Sequence, residues 1–428
     1  GRLPWLENFV FSTNSDTREL AACIYGELAA SMEASAAEAV VQGLTKLIGK
    51  DEHGKEAALE KRQGSILALG YVLSHAVEQV TNSHRISKET LSSVLLLLTL
   101  ALSDRRAEIV SAAARAIGLT GVHSALPLPP GKMPAVVSPA VAADVEGDKG
   151  VTAMDTEEDE LTVVRIIRAL GTVVNKKSDD KDKSSETVWK EAEDAAHAVG
   201  MLAVSNRSAA VLAACTEVLY STAGLKRTEE YHFCVGEALA CCAGGRVLTS
   251  PQLLSQLRLP PAYQDSGSDA ERASAAWSAA GTADVTNEAM VGILDHVMNE
   301  VLTDGKPLVR AAGAPWLLCL LRYNSEHPDV QSRIATFQEH FAYLLQERGE
   351  YLQEVASKGL GLCYDMCTDD AVKDELVATL AKALMSGAAM SQPKRQKTDE
   401  NEQIFDEGEM KIDDKALGEG SLTTYKEL

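Results

Sequence analysis

The residue types able to do chemistry are few in this chain and poorly spaced for it. Eight cysteines are present: Cys23, Cys215, Cys234, Cys241, Cys242, Cys319, Cys363 and Cys367. Cys363 and Cys367 stand four apart, which on a helix puts both sulfurs on one face. Two thiolates without further ligands make a poor zinc site, so packing is the favoured reading. His232 and Cys234 pair the residue types of a base and a nucleophile. Positions two apart do not face each other on a helix, however, and the two read as core and rim. Most cysteines fall inside apolar helical runs, where a free thiol behaves as a small hydrophobe. That usage suits a reducing compartment.

Phosphate and cofactor motifs are equally absent. Gly49-Lys50, Gly54-Lys55, Gly131-Lys132 and Gly305-Lys306 are none of them followed by Ser or Thr, so no P-loop forms. Gly359-Leu360-Gly361 lacks the third glycine of a dinucleotide fingerprint and the strand before it. There is no HExxH, GxSxG or CxxC. Catalytic, metal and cofactor-binding residues are therefore expected to be none, and the partner-binding residues are not identifiable. One basic cluster, Pro393–Lys397, offers Lys394, Arg395 and Lys397 as a nuclear address; a solvated loop is the favoured alternative.

The elements that carry these residues are helices in pairs. Lys61–Gly70, KRQGSILALG, reads as the second helix of a two-helix unit: a basic start, small residues, then an apolar stripe of Ile66, Leu67 and Leu69. Gly64, Ala68 and Gly70 are small enough to admit a neighbouring helix. Similar stretches close on Gly26, Gly70, Gly118, Gly200, Gly236, Leu317 and Gly361, at steps of 44, 48, 82, 36, 81 and 44 residues. Removing two loop-like insertions, Pro127–Glu160 (34 residues) and Ala243–Asp284 (42 residues), reduces the doubled steps to 48 and 39. Self-similarity at roughly 40–47 residues with two helices per unit marks a HEAT or armadillo solenoid. The fold class expected is all-α, a HEAT/armadillo-like α-solenoid of about seven helix pairs with disordered acidic loops.

Charge supports that organisation. The formal net charge is −21 over 428 residues. Asp144–Glu160 and Asp399–Glu419 each contribute −7, which leaves only −7 on the helical body. Acidic runs of this kind are solvated loops. The 41 basic residues are dispersed against 62 acids, so no nucleic-acid groove is expected. The apolar run Val94–Leu102 is too short to span a bilayer, and no membrane insertion is expected.

Along the chain, residues 1–126 are expected to be repeats, with helices at Leu3–Ser12, Arg18–Met32 and Glu33–Ile48. The last of these carries an apolar stripe at Ala36, Val40, Leu44 and Leu47. Ser12–Asp16 supplies N-cap residues, and Ser87 caps the helix that follows it. Residues 127–160 are a Pro-rich acidic loop, since five prolines forbid a helix. Repeats resume over 161–386, with a loose loop near 243–284 that opens on a Ser250-Pro251 helix start. Helices are expected at Leu161–Val174, Trp189–Leu202, Ser208–Tyr220, Asn287–Leu302, Leu308–Tyr323, Ile334–Leu345 and Leu352–Met366. Lys176–Glu186 is a charged linker, and Pro315 should kink its helix. Ala371–Met385 reads as the first helix of an eighth unit, 387–420 as a disordered charged loop, and 421–428 as the start of the next segment. The whole reads as a piece of a longer protein.

Several stretches resemble one family, the giant HEAT-repeat proteasome adapter and scaffold proteins. They are Gln63–Val72, Glu230–Ala240, Leu308–Arg322, Val355–Tyr364 and Ala416–Leu428. Lys358 and the Ser421–Leu428 sequence are the most telling, because HEAT packing does not demand them. Pro127–Glu160, Pro315 and Pro393–Lys397 depart from the family. The resemblance implies a middle fragment of a non-enzymatic adapter that binds proteasome regulatory and core particle subunits. It further implies tethering of the two particles, links to quality control and to trafficking or motor proteins, and a cytoplasmic and nuclear location with peripheral association at endoplasmic reticulum or endosomes. The alternative class is a karyopherin-like transport receptor or a phosphatase-type HEAT scaffold.

Overall fold

The computed structural model describes residues 3–48, 57–78, 86–122, 124–132, 161–176, 185–245, 283–347 and 349–367, with scattered positions from 370 to 381. Most of the 127–160 loop, the 246–282 stretch with Ser250-Pro251, the 387–420 loop, Pro393–Lys397 and Ser421–Leu428 lie outside the described residues. So does much of Ala371–Met385.

Among the described residues, seven pairs of helices follow one another. They are α1 (Leu3–Val10) with α2 (Ser15–Ala30), α3 (Ala34–Ile48) with α4 (Leu59–Glu78), and α5 (Lys88–Ala101) with α6 (Ala107–Thr120). Next come α7 (Val163–Val174) with α8 (Ser185–Ser205), and α9 (Ala209–Tyr220) with α10 (Glu229–Gly244). The sixth pair is α11 (Ala283–His296) with α12 (Pro307–Tyr323). A four-residue α13 (Pro328–Gln331) precedes the seventh, α14 (Ile334–Leu344) with α15 (Glu350–Met366). No strand occurs among the described residues. The protein is an all-α solenoid of paired helices.

Local chemistry sets the helix starts. Asn14 Oδ1 accepts from the Thr17 amide at 2.8 Å, and Ser87 Oγ from the Thr90 amide at 3.1 Å. Thr162 and Thr228 cap α7 and α10 in the same way, each satisfying one otherwise orphaned N–H. α10 ends on Gly245, at φ 61°, the left-handed conformation glycine adopts at little cost.

The second helices, α2, α4, α6, α8, α10, α12 and α15, stack in sequence and form the densest part of the core. The closing glycines make this possible. A Cβ on Gly26 would lie 2.5 Å from the Tyr71 Cβ, on Gly70 2.6 Å from the Ala116 Cα, and on Gly200 2.6 Å from the Ala238 Cα. On Gly118 and Gly236 it would lie 2.9 Å from the Ala198 Cα and 3.0 Å from the Trp316 Cα. The seventh unit departs from the expected register. A Cβ on Gly361 would meet nothing within 4 Å, whereas one on Gly359 would collide with the Phe341 ring of its own first helix.

Three further expectations need correction. The buried face of α3 is Ala37, Val41, Leu44 and Ile48, about one position round from the expected stripe. Apolar residues span a wide arc of this helix, and periodicity does not locate the arc's centre. The helix expected over Asn287–Leu302 begins at Ala283 and ends in a π-turn, Val297–Val301. That turn carries Val301 and Leu302 over Gly313 of α12. Finally, α8 begins at Ser185, so the charged linker is shorter than expected. Pro315 lies inside α12, which continues through it to Tyr323.

Residues 127–132 are not helical, but they pack. Pro129 O and Pro130 O accept from the amides of Val163 and Val164 at 3.0 and 3.1 Å, supplying partners for the first turn of α7.

Candidate interaction face

The residues singled out for chemistry are mostly packing residues here. Cys363 is buried on α15, and burial pushes its thiol up to about 12. The helix ends at Met366, and Cys367 is its C-cap residue. Cys367 adopts an extended conformation, its N–H donating to Cys363 O at 3.0 Å. Its φ of −69° keeps its Cβ in the helical register, so Cys363 and Cys367 stay on one side of α15 and both are buried. His232 is buried and Cys234 half-buried. Burial, and then Arg227, hold the His232 imidazole down at about 4, so it is neutral at physiological pH. Gly131 takes φ 95° against Thr162 and Val164, and Lys306 is the N-cap residue of α12. Neither belongs to a phosphate loop. Lys394, Arg395 and Lys397 lie outside the described residues.

What the fold does bring together is a polar seam across the second helices. Tyr71 Oη of α4 donates to Glu19 Oε1 of α2 at 2.7 Å, and Arg115 Nη2 of α6 donates to the same oxygen. Ser111 Oγ of α6 donates to Asp194 of α8, whose other oxygen faces Lys190 Nζ at 3.4 Å. His197 Nε2 of α8 stands 3.7 Å from Glu237 of α10, and Tyr323 Oη of α12 donates to Glu237 at 2.9 Å. Six helices are joined side to side by these bonds. Burial beside the Glu19 charge pushes the Tyr71 hydroxyl up, and burial beside Glu237 does the same to Tyr323.

A second row of bonds runs along the turns. Arg62 Nε donates to Ile48 O at 2.9 Å, at the end of its own first helix, and Nη2 pairs with Asp104 of the next unit at 2.7 Å. Arg18 likewise joins Ser12 O to Gln63. Arg310 joins Asp304 O to Glu347. Each arginine thus fixes its own turn and the next repeat at once, and Arg62 also satisfies the carbonyl that closes α3.

The seam has one uncompensated place. Glu193 on α8 is pushed up to about 7 by burial, which Lys190 opposes and the Asp194 and Glu230 charges reinforce. Among the described residues no cluster of His, Cys, Asp and Glu could hold a metal ion. The seam is a run of largely buried side chains that fixes successive second helices side to side.

Residues 1–124 match the family described as ECM29, ARM-like repeats. Over 431 residues, 99% of this chain, the sequence is 26% identical to the human proteasome adapter and scaffold protein ECM29. This chain resembles a fragment of ECM29. The Drosophila melanogaster proteasome-associated protein ECM29 homolog is 32% identical over 137 residues, 31% of this chain and 7% of the relative. The Saccharomyces cerevisiae proteasome component ECM29 is 26% identical over 209 residues, 48% of this chain and 10% of the relative. The chain spans 20% of the length of the human ECM29 it matches. Among solved structures, yeast importin-beta aligns over 90% of this chain and 42% of its own, at 12% identity and a TM-score of 0.38. A designed armadillo repeat protein aligns over 74% of this chain and 99% of its own, at 13% identity and a TM-score of 0.31.

Proposed function

We propose that this chain is a non-enzymatic scaffold segment that binds the proteasome, within a larger adapter that tethers the regulatory particle to the core particle. The observation that carries the reading is similarity along 99% of the chain to a human protein named a proteasome adapter and scaffold. The fold is consistent with it. Stacked helix pairs present an extended surface, and contacts spread along it reinforce one another through effective concentration once two bodies are engaged. Links to quality control, trafficking or motor proteins, and cytoplasmic, nuclear, endoplasmic-reticulum or endosomal sites belong to the same proposal. Among the described residues no helix is long and apolar enough to cross a membrane.

The test is affinity capture of the intact protein from lysate, read by mass spectrometry. Proteasome regulatory and core subunits should be recovered together, with no peptidase or ATPase activity added by the protein. Deleting Leu308–Leu384 should weaken the capture. Recovery of a small GTPase or a phosphatase catalytic subunit in place of proteasomes would overturn the reading.

A further inference from the structure

Each second helix inside the stack has one side laid on the helix before it and one side that receives the helix after it. Gly70 of α4 receives Ala116 of α6, and Gly118 of α6 receives Ala198 of α8. The receiving residue is the closing glycine. The residue laid on it stands two before the closing glycine of its own helix, Gly118 or Gly200. Two sides are left unused by this register. In α2 the residue two before Gly26 is Ile24, which is exposed together with Leu20 one turn earlier. In α15 the closing glycine is Gly361, also exposed, and a Cβ on it would meet nothing within 4 Å. No second helix precedes α2 or follows α15 among the described residues.

First helices also lie side by side, α5 against both α3 and α7. In α1, Trp5 and Phe9 are exposed with their rings 4.8 Å apart, and in α14 Tyr343 is exposed. Nine large apolar side chains are exposed among the described residues, and six of them belong to the first and seventh pairs: Trp5, Phe9, Leu20, Ile24, Tyr343 and Tyr364. Bare apolar surface is thus concentrated on the two end pairs, and surface of this kind marks contact with another protein.

The two bare sides are unlike, and they fit each other. One offers knobs, the branched side chains of Leu20 and Ile24. The other offers a hole, Gly361 with Ser357 one turn before it and Tyr364 at its edge. Two copies of the first side would set knob against knob, and two copies of the second would leave both holes empty.

We propose that the partner of each side is the opposite side of a second copy of this chain, so that α2 of one copy stacks on α15 of another. Ile24 seats over Gly361 and Leu20 beside Ser357, in the register that joins consecutive repeats within the chain. Trp5 and Phe9 come alongside Tyr343 in the layer of first helices. Because the two sides differ, the interface is heterologous, and every added copy presents a fresh bare side. Assembly is open-ended rather than closed at a dimer.

Sedimentation velocity on the 428-residue chain over a range of concentrations tests this. Species larger than a dimer should appear as concentration rises. Gly361→Arg fills the hole and should leave the chain monomeric. Leu20→Lys with Ile24→Lys removes the knobs and should do the same. Each variant keeps the side that the other has lost, so an equimolar mixture should form a dimer of the two and nothing larger. Circular dichroism of each variant before mixing reports whether the fold is kept. A wild-type chain that stays monomeric, or that stops at a dimer, would overturn the proposal. So would association of Gly361→Arg equal to that of the wild type, or a mixture of the two folded variants that stays monomeric.

Discussion

Gly70 and Ala116 belong to consecutive second helices, and a Cβ on Gly70 would lie 2.6 Å from the Ala116 Cα. Backbone, rather than a side-chain tip, occupies the space, so no rotamer change can make room. The same relation holds between Gly200 and Ala238. The interhelical spacing of the solenoid is therefore written into single residues roughly forty positions apart.

Gly70→Ala should destabilise the chain by ~1–3 kcal/mol, the usual range for overpacking a tight contact. Gly361→Ala is the control. Its helix offers the same backbone and a Cβ there meets nothing within 4 Å, so helix propensity should raise stability by ~0.5–1 kcal/mol. Urea midpoints for the two variants should move in opposite directions.

Leu69 and Leu360 are both buried between helix layers. Leu69→Ala should cost ~2–5 kcal/mol. In a stack where each unit touches mainly its neighbours, the damage stays near the substitution. Hydrogen exchange should rise within residues 20–120 and stay unchanged within 310–366. A uniform rise would mean one cooperative core.

Glu193 predicts a pH dependence. Its carboxyl titrates at about 7 in the fold, against 4.5 ordinarily, so folding penalises the charged form. The penalty is nil below about 4.5, grows as pH rises towards 7 and is constant above it. Glu193→Gln should stabilise the chain at pH 8 and leave it unchanged at pH 4. His232 has the opposite sign. Its imidazole is held at about 4 against 6.5, so stability falls as pH drops from 6.5 to 4. Denaturant titrations of the wild type and of Glu193→Gln from pH 4 to 8 separate the two trends. Equal wild-type and Glu193→Gln midpoints at pH 8 would contradict the burial of that carboxylate.

The helix pairing was legible because small residues closing each second helix recur at one spacing, and caps such as Ser87 announce their helices directly. The polar seam was not. Glu19, Tyr71 and Arg115 meet across 52 and 96 residues of chain, and nothing local relates them. A signal was nonetheless present. The residue seven before the closing glycine is Glu19, Gln63, Ser111 or Glu193 in the first four units, a polar position opposite the apolar stripe. The π-turn after His296 has no sequence marker: it answers the packing of Val301 and Leu302 on Gly313, a contact set by tertiary structure.

The first repeat exposes an apolar face. Trp5 is 64% exposed, Phe9 39%, Leu20 39% and Ile24 42%, with the Trp5 and Phe9 rings 4.8 Å apart. Leu20 and Ile24 stand six and two positions before Gly26. The same positions are Gly64 and Ala68 in α4 and Ala112 and Ala116 in α6, all buried, with Ala116 against Gly70 of the preceding second helix and Gly64 against Val10 of α1. This face of α2 is thus the one that later repeats use for stacking, and it carries larger side chains with no helix over it among the described residues. A contiguous apolar surface of this kind drives association in water. The isolated 428-residue chain should therefore self-associate with rising concentration. Leu20→Lys with Ile24→Lys should return it to a monomer in sedimentation velocity and leave its melting temperature within a few degrees, because exposed positions contribute little to the core. Unchanged association in the double variant would place the contact elsewhere. Loss of the helical signal would show that Leu20 and Ile24 support the first pair from within.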